Sequence, residues 1–208
     1  DWDFTERRLH LLKEKNIEVI AGLVHHGSGP SFTNLLDDEF PFLLAEYAKK
    51  VAEKFPWLQF FTPVNEPLTT ARFSGLYGLW YPHKASGKSF AKMLLNELKA
   101  TVLAMKEIKK INPGAKLVQT EDLGKTYSTK KLTYQAKFEN ERRWLTYDLL
   151  SGKVDENHKM WKYFKRLKIA EKDVRFFQEN LCVPDIFGFN HYVSSERYLD
   201  ENISLSRR

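Results

Sequence analysis

Four short apolar runs, spaced by segments of helical periodicity, set the limits on what this chain can become. They are Ile17–Val24, Phe60–Val64, Lys116–Glu121 and Asp185–Asn190. Each is rich in β-branched and aromatic residues and too short for an ordinary helix, so each reads as a buried strand. Phe4–Lys15, Phe40–Phe55, Ser89–Ile111 and Thr133–Leu150 carry helical spacing, as do the shorter Met160–Leu167 and Glu171–Asn180. Asp3 or Thr5 is a cap for the first of these, and Asn112-Pro113-Gly114 closes the third. In the second, Leu43, Leu44, Tyr47, Ala48, Val51 and Ala52 fall on one face, which is expected to be buried. The expected order is αβαβαβαβ, an α/β chain with a parallel sheet joined by helical crossovers.

The 208 residues are 42% hydrophobic and 14% aromatic, enough for a sizeable core. No internal repeat or low-complexity linker divides them, so residues 1–208 are expected to form a single domain. The net charge is +6, but the basic residues are scattered beside acids instead of forming a stripe, so no nucleic-acid partner is expected. Cys182 is the only cysteine, which excludes an intrachain disulfide and fits a reducing, cytoplasmic setting. No run approaches a membrane span, and Asp1-Trp2-Asp3 is no signal peptide. Asp1 is no natural start either, so a longer or processed chain is expected.

All four strands end on polar groups: His25, then Asn65-Glu66, then Glu121, then Asn190-His191-Tyr192. In parallel α/β folds the carboxyl ends of the strands carry the chemistry. Pro67 cannot donate a ladder hydrogen bond, so the second strand should stop at Glu66. Taken alone, Glu66 is either a catalytic carboxylate or a solvated loop residue. His25 is either a hydroxyl-binding or a structural histidine. His25 and His26 point to opposite faces while the strand lasts, and no third ligand stands at metal spacing, so no metal is expected. Gly27-Ser28-Gly29 lacks the follow-on of a phosphate loop, and no cofactor is expected.

These endings resemble family 1 of the glycoside hydrolases. The likeness rests on His25 after one strand, Asn65-Glu66-Pro67 after the next, and Asp185-Ile186-Phe187-Gly188-Phe189-Asn190-His191-Tyr192. It implies a (β/α)8 TIM barrel, here a partial barrel of about strands 3 to 6, acting on β-glycosides with retention. It also implies Glu66 as general acid/base and Asn65 as the amide on the sugar 2-hydroxyl. It implies His25 as a hydroxyl-binding histidine and Tyr192 as the tyrosine that orients the nucleophile; Glu121 and Asn190, as polar strand endings at the same mouth, are expected substrate-binding groups beside them. The nucleophile itself belongs on a seventh strand, outside these residues. The rest of the barrel is then expected from the same or another chain. Gly22–Pro30 and Val118–Gly124 resemble a divergent branch in which such a part is fused to a domain like dTDP-4-dehydrorhamnose reductase. His26 stands where the family usually has Trp, and Glu121-Asp122 is more acidic than usual.

Three functions are therefore carried forward. The first is a retaining glycosidase. The second is a non-hydrolytic sugar-binding or regulatory module attached to a sugar-nucleotide enzyme. The third uses Glu66 and Glu121 as an acid/base pair for epimerisation or lactone opening.

Overall fold

A computed structural model describes residues 2–202. The chain opens with helix α1 (Asp3–Glu14), strand β1 (Ile20–Val24), helix α2 (Phe40–Lys54) and strand β2 (Phe60–Val64). Helix α3 (Pro67–Ala71) runs directly into a π-helical turn at Arg72–Leu76, and the long helix α4 (Gly87–Ile111) follows. Then come β3 (Lys116–Glu121), β4 (Thr126–Ser128), α5 (Thr133–Arg142), α6 (Leu145–Leu150), α7 (Trp161–Arg166) and α8 (Glu171–Glu179). The described residues end with β5 (Ile186–Phe189) and β6 (Arg197–Leu199).

The main sheet is four-stranded, in the order β1-β2-β3-β5, and every pairing is parallel. Its strands therefore lie side by side in chain order, which is the winding of a (β/α) barrel. A doubly wound sheet would reverse direction at a switch point. All four strands present their carboxyl ends on one side. Ile20, Gly22 and Val24 pair with Phe60, Thr62 and Val64, so these residues share registers across β1 and β2.

The core lies between the sheet and one helical layer. Helix α4 is its spine, with Phe90, Leu94, Leu98, Val102 and Met105 buried along one face. Phe61 on β2 is fully buried against it, with Leu44, Ala48, Val51 and Ala52 of α2. Tyr47 and Leu43, expected on the same buried face, remain partly exposed. They sit at the margin of the apolar stripe, where Trp2 stacks on Tyr47 with ring centroids 6.1 Å apart, and Leu43 and Tyr47 border an open groove with Leu23 and Phe32. Helix α1 starts one residue earlier than expected, and Trp2, not Asp3 or Thr5, occupies its N-cap position.

Three expectations change. Ile17–Val24 is paired only from Ile20, and β1 is fully buried only at Val24, with Ile17 and Ile20 exposed. β5 is likewise open, with Ile186, Phe187 and Phe189 exposed. Both are outer strands of the sheet and lack a neighbour on one side. The helix expected over Thr133–Leu150 is broken at Arg143-Trp144 into α5 and α6. The loop expected over Leu68–Lys88 begins with α3 and the π-helical turn, both buried over much of their length. β4 and β6 form a small parallel pair beyond the main sheet, and neither stretch carried a strand expectation.

Ser86 caps α4 by accepting a hydrogen bond from the Ser89 N–H at 3.1 Å. Ser86→Ala is expected to cost about 1 kcal/mol, read as a lower urea midpoint at unchanged slope. An unchanged midpoint would show that the cap is redundant.

Candidate active site

The Asn65-Glu66 pair is placed by β2 and locked by its neighbours' backbones. Asn65 N–H donates to Val24 O at 2.9 Å, and Glu66 N–H donates to Thr120 O at 3.3 Å. The ladder thus continues past β2, by one residue on the β1 side and by two on the β3 side. Glu66 then turns into the left-handed region, at φ 45° and ψ 57°. A non-glycine residue there stores about 1–3 kcal/mol of strain and persists only when its surroundings hold it. Pro67 begins α3 at once, as a fixed φ and a missing donor allow at a helix start.

Four of the expected site residues meet at this point. Asn190 Nδ2 donates to Glu66 Oε1 at 2.6 Å and lies 3.3 Å from Asn65 Oδ1. Tyr192 O–H donates to the same Glu66 oxygen at 3.4 Å. Thr120 Oγ1 donates to Asn65 Oδ1 at 2.8 Å, which fixes the amide with its nitrogen turned the other way. That nitrogen, Asn65 Nδ2, is buried and has no hydrogen-bond partner among the described residues. Glu66 is only 3% exposed, whereas Tyr192 remains open to solvent. The Glu66 carboxylate holds the Tyr192 phenol above its ordinary pKa range, since a phenolate beside it would be repelled.

His25 stands apart from this knot. Its exposed side chain borders an open cleft of about 250 Å³, shared with Ile20, Gly22, Thr62 and Asn65. His26 is the more enclosed of the two histidines. Its Nδ1 is 2.8 Å from Thr70 Oγ1 on α3, and its ring lies 4.9 Å from that of Trp80. Burial and the neighbouring His25 push its pKa down, against a weaker upward pull from Glu66. Among the described residues no three His, Cys, Asp or Glu side chains are grouped as metal ligands.

Glu121 does not join the others. It is fully buried on the helix side of β3, where Oε1 accepts from Leu68 N–H at 2.6 Å and from Thr146 Oγ1 at 2.7 Å. Glu121, expected among the substrate-binding groups, lies away from the Asn65–Glu66 pair because strand alternation sends Thr120 toward Asn65 and Glu121 the opposite way. Burial raises its pKa to about 8, partly offset by those hydrogen bonds. Glu97 on α4, also fully buried, is raised in the same direction by burial and by Glu121. Thr120, Thr146 and Tyr147 were not singled out in the sequence. Tyr147 O–H donates to Gly188 O at 2.8 Å and thereby ties α6 to β5. A count of alternate residues back from Glu121 through Gln119 and Leu117 would have assigned Glu121 to the helix side.

No protein-family model matches the chain, and no curated protein sequence matches it either. Solved structures do. A family 1 β-glucosidase from Thermotoga maritima superposes with a TM-score of 0.81 at 18% identity, over 97% of this chain and 46% of its own. The Thermotoga maritima β-glucosidase in complex with cyclophellitol gives the same figures. The complex with deoxynojirimycin gives a TM-score of 0.81 over 97% of this chain and 47% of that one. The chain spans less than half the length of these structures. No helix among the described residues is long and apolar enough to cross a membrane. The chain has an α/β fold with a parallel sheet, that of part of a β-glucosidase TIM barrel.

Proposed function

We propose that the chain is the part of a β-glycosidase barrel that carries the proton donor, with Glu66 as general acid/base of a retaining reaction. The observation that supports this best is the knot of Asn65, Glu66, Asn190 and Tyr192 at the carboxyl ends of parallel strands. Within it a carboxyl group stands beside an amide donor that has no partner among the described residues. Both hydrogen bonds to Glu66 fall on Oε1, which leaves Oε2 to carry the proton that moves. That proton goes to the glycosidic oxygen as its bond to the anomeric carbon breaks. The carboxylate then takes a proton from the water that releases the sugar. Asn65 Nδ2 supplies a donor for the sugar 2-hydroxyl, and His25 offers a hydroxyl partner across the cleft.

Residues 1–208 are read as one domain of that barrel. β1 and β5 are its open edges, and the remaining strands come from elsewhere in the same chain or from another chain. With them comes the nucleophile, because retention needs a second carboxylate about 5–5.5 Å from the first. The protein with its full barrel should hydrolyse 4-nitrophenyl β-glycosides, and proton NMR of the first product should show the β-anomer. The α-anomer appearing first would refute retention.

One observation favours a second reading, a sugar-binding or regulatory module without hydrolysis. Among the described residues no second carboxylate hydrogen-bonds into the Glu66 knot, and Glu121 is turned to the other side of the strand. Saturable glycoside binding by the complete protein, with no aryl release, would select that reading.

A further inference from the structure

We infer that Glu121 is a positioning residue for Glu66: it caps helix α3 from the neighbouring strand, so that Glu66 need not do so itself and keeps its carboxyl group in the knot. The inference rests on the reading of Glu66 as the acid/base, but its geometry stands independently.

The first N–H groups of a helix have no partner within it, and the N-cap side chain usually supplies one. The N-cap residue of α3 is Glu66, and its side chain makes no capping bond. The orphan is Leu68 N–H, two residues on, the position an N-cap side chain ordinarily serves. It is taken instead by Glu121 Oε1, which Thr146 Oγ1 holds from α6. The same end of β3 fixes the rest of the knot. Thr120 O accepts from Glu66 N–H, Thr120 Oγ1 donates to Asn65, and Glu121 O accepts from Asn190 N–H. Without an acceptor at position 121, the strained Glu66 has a competing use for its carboxylate, namely its own helix. Capping would draw it off Asn190 and Tyr192.

The role asks for an oxygen that accepts, not for a charge. Oε1 accepts two hydrogen bonds while Oε2 has no partner among the described residues, the pattern of a neutral carboxyl group whose carbonyl oxygen is in use. Glutamine reproduces that oxygen, whereas methionine fills the volume without it.

The test is carbon-13 NMR of side-chain carboxyl groups in the full-barrel protein, with the Glu66 signal assigned by Glu66→Gln. Glu121→Gln should leave the Glu66 titration where it is. Glu121→Met should move the Glu66 midpoint, because the carboxylate trades the hydrogen bonds of Asn190 and Tyr192 for those of the helix end. On a hydrolysed substrate, Glu121→Met should cut kcat by at least about tenfold at similar KM, with Glu121→Gln close to wild type. Thr146→Val, which loosens Glu121 without removing it, should shift the Glu66 midpoint the same way by less, and carries the test should Glu121→Met not fold. An unmoved Glu66 midpoint in Glu121→Met, or a Glu121→Gln as impaired as Glu121→Met, would overturn the inference. Absence of hydrolysis in the wild type would defeat the glycosidase reading and leave the titration arm intact.

Discussion

Glu66→Ala in the full-barrel protein is expected to lower hydrolysis of an alkyl β-glycoside by about 10²–10⁴-fold, the usual contribution of general acid–base catalysis. The effect should depend on the leaving group. A dinitrophenolate departs without a proton, so formation of the glycosyl-enzyme from a dinitrophenyl glycoside should survive. Its breakdown should stall, because no base remains to activate water, and a burst of one equivalent should precede slow turnover. Azide needs no deprotonation and should restore the second step. Asn190→Ala should act in the same direction by less, since it removes the 2.6 Å hydrogen bond to Oε1 and leaves the carboxyl group in place. Equal losses on both substrates, without azide rescue, would remove Glu66 from the acid/base role. Epimerisation or lactone opening by a Glu66–Glu121 pair is disfavoured by the burial of Glu121 on the far side of β3.

Stability is expected to fall as the pH rises from about 4.5 to about 8. Glu121 has an ordinary carboxyl pKa near 4.5 when unfolded and one of about 8 when folded. Below the first value both states are protonated and the difference vanishes. Between the two, the unfolded chain gains from ionising while the folded chain does not, so folding weakens with each unit. Above about 8 the loss is complete. A shift of this size corresponds to about 5 kcal/mol at 1.36 kcal/mol per unit. Glu97, shifted in the same direction, steepens the slope. Urea melts of wild type and Glu121→Gln at pH 5, 6.5 and 8 check it. The variant should lose less stability over this range and should be the more stable protein at pH 8. Parallel curves would show that Glu121 ionises freely in the folded state.

The centre of the fold was legible because local and global signals agree there. Phe60 to Val64 are strand formers, Pro67 ends the ladder, and β2 is the best-covered strand on both sides. The polar strand endings at Asn65, Glu66, Asn190 and Tyr192 pointed to one mouth, and those side chains touch. Glu121 also follows a strand, but it is the last residue of β3 itself and keeps the alternation of that strand. Glu66 escapes alternation by its left-handed turn, which a carboxylate before a proline does not advertise. The outer strands were read as buried because Ile17, Ile20, Phe187 and Phe189 are as apolar as residues of a central strand. Burial there depends on a neighbour that the local sequence does not encode. β4 and β6 were invisible for a related reason: each is three residues long and is defined by its pairing with the other, from Thr126 and Arg197 onward.

The winding of the sheet also bears on how such a chain is made. Among the described residues β1, β2, β3 and β5 pair in chain order, each with the next across a whole helical crossover. Pairings so distant along the chain close slowly. A ribosome releasing this sequence would therefore extend a growing crescent by one strand at a time. At every stage a fresh parallel edge, apolar on at least one face, waits for the next strand to emerge. Glu66 leaves the ribosome long before Asn190 and Tyr192, so its strained turn has Thr120 and Glu121 to hold it only after the third strand has docked. The order of synthesis thus assembles the scaffold of the proton donor first and its hydrogen-bond partners last.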